Sequence, residues 1–196
     1  MDIIVMIFNM VINVATLLLA LRFMMQLAAV DPYNPVVMST IKATYVADVF
    51  GRILPTLAQG RLNLAALVLI ALLQLVELFV FSSIGVIPHI AGVSFVIDSS
   101  LGLVAAVLLG LLSSFLTFCK WLIFGSIILS WVVVFTQSQS PYIGVVMQMT
   151  EPLLAPFRRI MPDLGPIDLS PMVAFLAIII CQHLLSAAAV TLLAMV

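Results

Sequence analysis

Four stretches of this chain are so long and so apolar that a lipid bilayer is the only solvent that suits them. Residues 3 to 29, 62 to 81, 101 to 135 and 172 to about 194 are apolar runs interrupted only by isolated polar side chains. About 20 such residues span a bilayer. Charged residues make up 8% of the chain and hydrophobic ones 65%, whereas a soluble domain carries about 25% charge. The fold class expected is therefore all-α, a polytopic helical membrane protein with four transmembrane helices. The lipid bilayer is its first partner. A net charge of −1 gives no basic footprint, so nucleic acid is not expected as a partner. Met1-Asp2 lacks the basic start of a cleaved leader, so the first run is expected to stay. Cys119 and Cys181 fall in apolar runs and read as small core residues.

The third run invites two readings, one long helix or two short spans with a turn near Lys120. No Gly, Pro or Asn lies at 116–124 to make that turn, so one helix is expected. Gly102 and Gly110 with Ala105 and Ala106 fit close helix packing. Residues 82–100 read as a loop. Asn63 is a plausible cap for the second span. Ser170 is the expected cap of the last span, with Pro171 in its first turn. Arg22, near the end of the first run, can snorkel to the interface.

Between the runs lie two charged stretches, here called hinges, at 31–61 and 136–171. Each joins two spans, so the chain reads as two helix–hinge–helix repeats with interfacial helices, over 1–97 and 98–196. At an offset of 106, Asn34-Pro35 falls on Ser140-Pro141, Thr44 on Thr150 and Arg52 on Arg158. In the second hinge, five prolines (Pro152, Pro156, Pro162, Pro166 and Pro171) are expected to forbid one continuous helix.

The second hinge, TEPLLAPFRRIMPDLGPIDLSPM, resembles the hallmark of the YggT family of small bacterial membrane proteins. That family carries two such units. Ser140-Pro141, Thr150, Pro152, Pro156, Arg158, Arg159, Pro162, Gly165, Ile167 and Asp168 match its pattern. The first unit keeps Asn34, Pro35, Thr44, Arg52 and Pro55, but departs from it at Val46, Phe50 and Ile53. The resemblance implies a membrane protein linked to osmotic-stress tolerance and cell division, without a defined chemical activity.

Three sets of candidate residues follow. Arg158, Arg159, Glu151 and Arg52 suit contact with a protein partner or anionic lipid head groups. The alternative is that the arginines serve topology alone. Pro152, Pro156, Pro162, Gly165 and Asp168 define the second hinge, either as a moving joint or as a fixed bend. Glu77 and Lys120 are expected at equal depth in facing spans, with Gln74 and His183 completing an intramembrane polar cluster. Neither His183 nor His89 has ligand-spaced companions, and neither a metal nor any other cofactor is expected. No nucleophile–base motif is present. The leading expectation is thus a non-enzymatic scaffold or assembly factor with an unknown membrane or cytoplasmic partner, and a homo-oligomer is possible. The rival is an ion or small-solute transport component that uses the intramembrane polar residues. Lysines and arginines are absent from the 82–100 loop and present in both hinges. The hinges are therefore expected in the cytoplasm and both termini outside a bacterial inner membrane.

Overall fold

A computed structural model describes residues 3–51, 64–85, 89–90, 93–94, 99–137, 140–161 and 168–195. Among these residues the chain forms α1 (Ile3–Leu27), α2 (Pro35–Ala43), α3 (Tyr45–Gly51) and α4 (Leu64–Ser83). A two-residue strand pair follows, β1 (His89–Ile90) with β2 (Val93–Ser94). The rest is α5 (Ser100–Thr136), α6 (Pro141–Ile160) and α7 (Ser170–Met195). The protein is all-α apart from that small antiparallel pair. It is a multi-pass membrane protein, with α1, α4, α5 and α7 each long and apolar enough to cross a bilayer.

The third run is one helix of 37 residues, about 55 Å long at 1.5 Å per residue and well beyond a ~30 Å hydrocarbon core. Ser99 caps its start, accepting from Gly102 N at 2.9 Å. Its buried small residues Gly102, Ala106 and Gly110 lie four apart and so on one face, where they allow close backbone approach. Ala106 and Leu109 of α5 pack with Leu78 of α4 and Ala189 of α7.

A larger core lies at the other end of the bundle. It joins Phe23, Met24 and Met25 of α1 to Val37 of α2, Ala47 of α3, Ile70 of α4, Phe118 of α5 and Val145 and Met149 of α6. Both hinges therefore pack against the same end. The chain enters the first hinge through a left-handed residue, Ala29 with φ +51. Val30 N bonds Met25 O there at 3.0 Å, the six-to-one bond of a Schellman cap. Asn34 then caps α2, accepting from Val36 N at 3.0 Å, with Pro35 in the first turn. Ser140 does the same for α6, accepting from Tyr142 N at 3.4 Å ahead of Pro141.

Two expectations are corrected here. Pro152 and Pro156 do not break the second hinge, because both sit inside the continuous helix α6. Each lacks the N–H that would bond the carbonyl four residues back, at Gln148 and at Pro152. Those three residues share one exposed face of α6, where the freed carbonyls can meet water or head groups. The cost is thereby reduced and the helix continues. The cap of α7 is also displaced. Ser170 is its first residue and is buried, and Ser170 N donates to Asp168 Oδ1 at 2.9 Å.

Candidate functional site

In the second hinge, the buried face of α6 is Val145, Met149, Thr150 and Leu154. Those positions recur every four or five residues, so one stripe of the helix docks on the bundle while the other faces out. The last turn carries Arg158 and Arg159, favourable at a helix C-terminus. The two arginines have different fates. Arg158 Nη1 donates to Glu151 Oε2 at 2.6 Å, and its Nε donates to Asp168 Oδ2 at 2.9 Å. It thereby ties two turns of α6 to Asp168, two residues before α7. Burial disfavours charge on Arg158, but the hydrogen bonds and charges of the two carboxylates outweigh it and raise its pKa. Burial likewise pushes Asp168 up, yet hydrogen bonds from Ser170 and Arg158 prevail and hold its carboxyl below the ordinary value. Arg159 is exposed and makes no ion pair or hydrogen bond to any described residue. The pair expected to act together therefore divides into a structural clasp and a cation that is unpaired among the described residues. Arg52, Pro162 and Gly165 lie outside the described residues.

The first hinge is held differently. Arg22 does not snorkel. It is 3% exposed and its Nη1 donates to Thr44 O at 2.9 Å and Thr44 Oγ1 at 3.0 Å. It also forms an ion pair with Asp48 of α3. The reason is geometric: α2 and α3 fold back over the end of α1 and bring an acceptor set within reach of the guanidinium. This clasp went unnoticed in the sequence. The available signal was a charge inside an apolar run with an acidic residue on the following interfacial segment.

Within the spans, the expected meeting of Glu77 and Lys120 does not occur. Lys120 Nζ donates to Gln182 Oε1 at 2.9 Å, and Gln182 Nε2 donates to Thr117 Oγ1 at 2.9 Å. Glu77 has no hydrogen-bond or ion-pair partner among the described residues. Gln74 Nε2 donates instead to Ser114 Oγ at 2.9 Å, which fixes the register of α4 on α5. From that contact Glu77 lies three residues toward one end and Lys120 six toward the other, about 14 Å apart along the axis. Counting depth from the end of α5 failed because α5 is longer than the membrane is thick. His183 is also outside the cluster, since its ring is exposed and its Nδ1 lies 2.8 Å from Ile179 O of its own helix. Its neighbour Gln182 takes the inward place.

A cleft of about 600 Å³ opens between α1, α4 and α5. Its walls are mainly apolar, but Asn13 and Thr16 of α1 and Ser113, Ser114 and Thr117 of α5 also line it. The two glutamine contacts end on this lining, one on Ser114 and the other on Thr117. Gln74 Oε1 is buried and has no partner among the described residues. Among the described residues no three His, Cys, Asp or Glu side chains are grouped to hold a metal ion.

The family model CCB3/YggT matches residues 105–189, a region that contains α6 and the Arg158 clasp. Relatives match over more of the chain. A Pseudomonas aeruginosa protein, named only as uncharacterized, is 36% identical over 83% of this chain and 77% of its own. The uncharacterized protein YggT of Escherichia coli K12 is 32% identical over 85% of this chain and 80% of its own. A Vibrio alginolyticus protein, named for its place in the proC 3' region, is 35% identical over 81% and 80%. No solved structure matches the chain.

Proposed function

The chain belongs to the CCB3/YggT family, and from that premise we propose that it is a non-enzymatic scaffold or assembly factor of the bacterial inner membrane. The observation that carries this reading is the division of labour at the end of α6. Arg158 is clasped by Glu151 and Asp168, while Arg159 and Ile160 (82% exposed) stand outward beside it. An interfacial helix that ends in a cation unpaired among the described residues, beside an exposed apolar residue, is suited to hold a partner rather than to turn over a substrate. The partner is a membrane or cytoplasmic protein, and the hinges face the cytoplasm because the lysines and arginines outside the spans cluster in them. The osmotic-stress role belongs to the same proposal.

The test uses full-length protein in native membranes with a photocrosslinking residue at position 160. A discrete protein adduct is expected. Arg159→Gln should weaken it severalfold, and Arg158→Gln should instead loosen α6 from α7. An adduct indifferent to Arg159, together with normal growth under osmotic stress of cells carrying only the Arg158→Gln/Arg159→Gln protein, would refute the scaffold reading. Cysteines at 89 and 159 should label from opposite sides of the membrane, and labelling from one side would refute the orientation.

The polar lining of the cleft favours a second reading, a path for an ion or small solute. Flux through proteoliposomes that falls on Ser114→Ala and Thr117→Val would support it, and flux equal to that of empty vesicles would end it.

A further inference from the structure

The outer half of α1 carries a pattern that the hinges do not use and that meets the cleft only at Asn13 and Leu17. Ile3, Met6, Met10, Asn13 and Leu17 recur at spacings of three, four, three and four. That is the a/d repeat of a left-handed helix pair. All five are exposed, the four apolar ones by 53% to 73%. The opposite side of α1 is occupied by its own bundle, where Ile12 and Leu19 are buried and Phe8 meets Phe81 of α4 edge to face at 6.4 Å. The helix thus has one seam satisfied within the chain and a second one unmatched.

The unmatched seam contains a polar device. Asn13 Nδ2 donates to Asn9 Oδ1, one turn back, and neither side chain has another partner among the described residues. An acceptor on Asn13 and donors on Asn9 are left over. Along the axis these asparagines lie ~9 and ~15 Å from the start of the helix, inside a hydrocarbon core of ~30 Å. A shallow groove of about 410 Å³ runs along this face, lined by both asparagines together with Met6, Met10 and Leu17.

We infer that this face is a homodimer interface, in which α1 of one copy pairs in parallel with α1 of a second. Copies inserted by the same route share one orientation, so a twofold axis along the membrane normal brings identical residues to equal depth. A primary amide is both donor and acceptor, so Asn13 facing Asn13, with Asn9 beside it, supplies on each side what the other lacks. Lipid chains covering the same face would match Met6 and Met10 but would leave the amides unsatisfied in hydrocarbon. A water-soluble protein cannot reach this depth. A polar residue in an otherwise apolar a/d seam also fixes its register.

The test is cysteine scanning of full-length protein in native membranes, with Cys119 and Cys181 replaced by alanine. Met6→Cys, Met10→Cys and Asn13→Cys should crosslink on oxidation to a species of twice the chain's mass. Ile4→Cys, Ile7→Cys and Val11→Cys, exposed but off the seam, should do so at least fivefold less. Equal crosslinking at all six positions would mean random collision, and a product of another mass would mean another occupant; either overturns the inference. Fluorescence energy transfer between labelled copies, diluted in 3:1 phosphatidylethanolamine–phosphatidylglycerol vesicles, supplies the second readout. Asn9→Val/Asn13→Val should weaken pairing roughly threefold to twentyfold, the range for interhelical polar contacts. Unchanged pairing would remove the amides from the interface.

Discussion

The Arg22–Asp48 clasp makes an asymmetric demand on the fold. The two side chains are 4% and 41% exposed. Asp48→Ala leaves a guanidinium buried with only Thr44 to bond among the described residues, and an uncompensated buried charge costs about 3–5 kcal/mol. Arg22→Met leaves a carboxylate that water already reaches, together with Thr44 acceptors that lose a donor. That loss should be about 1–3 kcal/mol, because methionine is a flexible apolar side chain that can fill the buried site. The order of the single changes is thus fixed by exposure, with the acidic one the worse. The double change should be more stable than Asp48→Ala alone, since removing the stranded charge rescues the site. Thermal unfolding in mild detergent can follow this through the buried thiol of Cys119, labelled by a thiol-reactive dye as it emerges, in a Cys181→Ala background. If Arg22→Met proves the costlier single change, or if the two losses simply add, then Asp48 is not the counter-ion that keeps Arg22 buried.

Other outcomes follow from the same geometry. Ala29 holds φ +51, so Ala29→Gly should raise stability by about 1 kcal/mol despite glycine's freer unfolded state, and a lowered melting temperature would contradict that. Pro152→Ala and Pro156→Ala should each stabilise α6 by about 1–3 kcal/mol, because both prolines sit in an intact exposed helical turn. Slower hydrogen exchange in α6 is the readout. The Asp168 pKa is lowered on folding by its bonds to Ser170 and Arg158, which outweigh burial. Its contribution should therefore be complete above the unfolded value near 3.8 and fade as pH falls through the lower folded value. Asp168→Asn should flatten that acid limb of a melting-temperature curve, and an unaltered limb would assign it to other groups.

The parts of this fold that were readable in the sequence are those set by one segment alone. A span is a sum over its own residues, so all four were visible, and α5 could be read as one helix because nothing at 116–124 stops it. The expected caps are less secure, since Asn63 lies outside the described residues and Ser170 is the first residue of α7 rather than its cap. What was not readable depends on two segments meeting. Arg22 is 26 residues from Asp48, and no local rule says that α2 and α3 fold back over it. The Glu77–Lys120 expectation failed by register, which Gln74 and Ser114 set from within the interface. The prolines of α6 misled for a related reason. Their cost depends on whether the freed carbonyls are exposed, and exposure is a property of how the helix docks.

The two halves read from the sequence as repeats, 1–97 and 98–196, share one hydrophobic core. Met24 of α1 and Met149 of α6 come from different halves, and both are fully buried in one cluster. Val37 and Ala47 from the first hinge join the same cluster, as do Ile70 and Phe118. Separating the halves would uncover Met24 and Met149 at the hinge end, where a cut core meets head groups and water as well as lipid. The clasps differ in the matching way. The first hinge takes its cation from a span and buries it, so that α2 and α3 are tied inward to α1. The second takes its cation from the interfacial helix itself and leaves it half exposed, so that α6 is tied sideways to α7. The sideways-tied hinge leaves the outer face of α6 exposed, with Arg159 unpaired among the described residues. The two hinges therefore differ in what they do for the fold. The first completes the core on which the second is mounted.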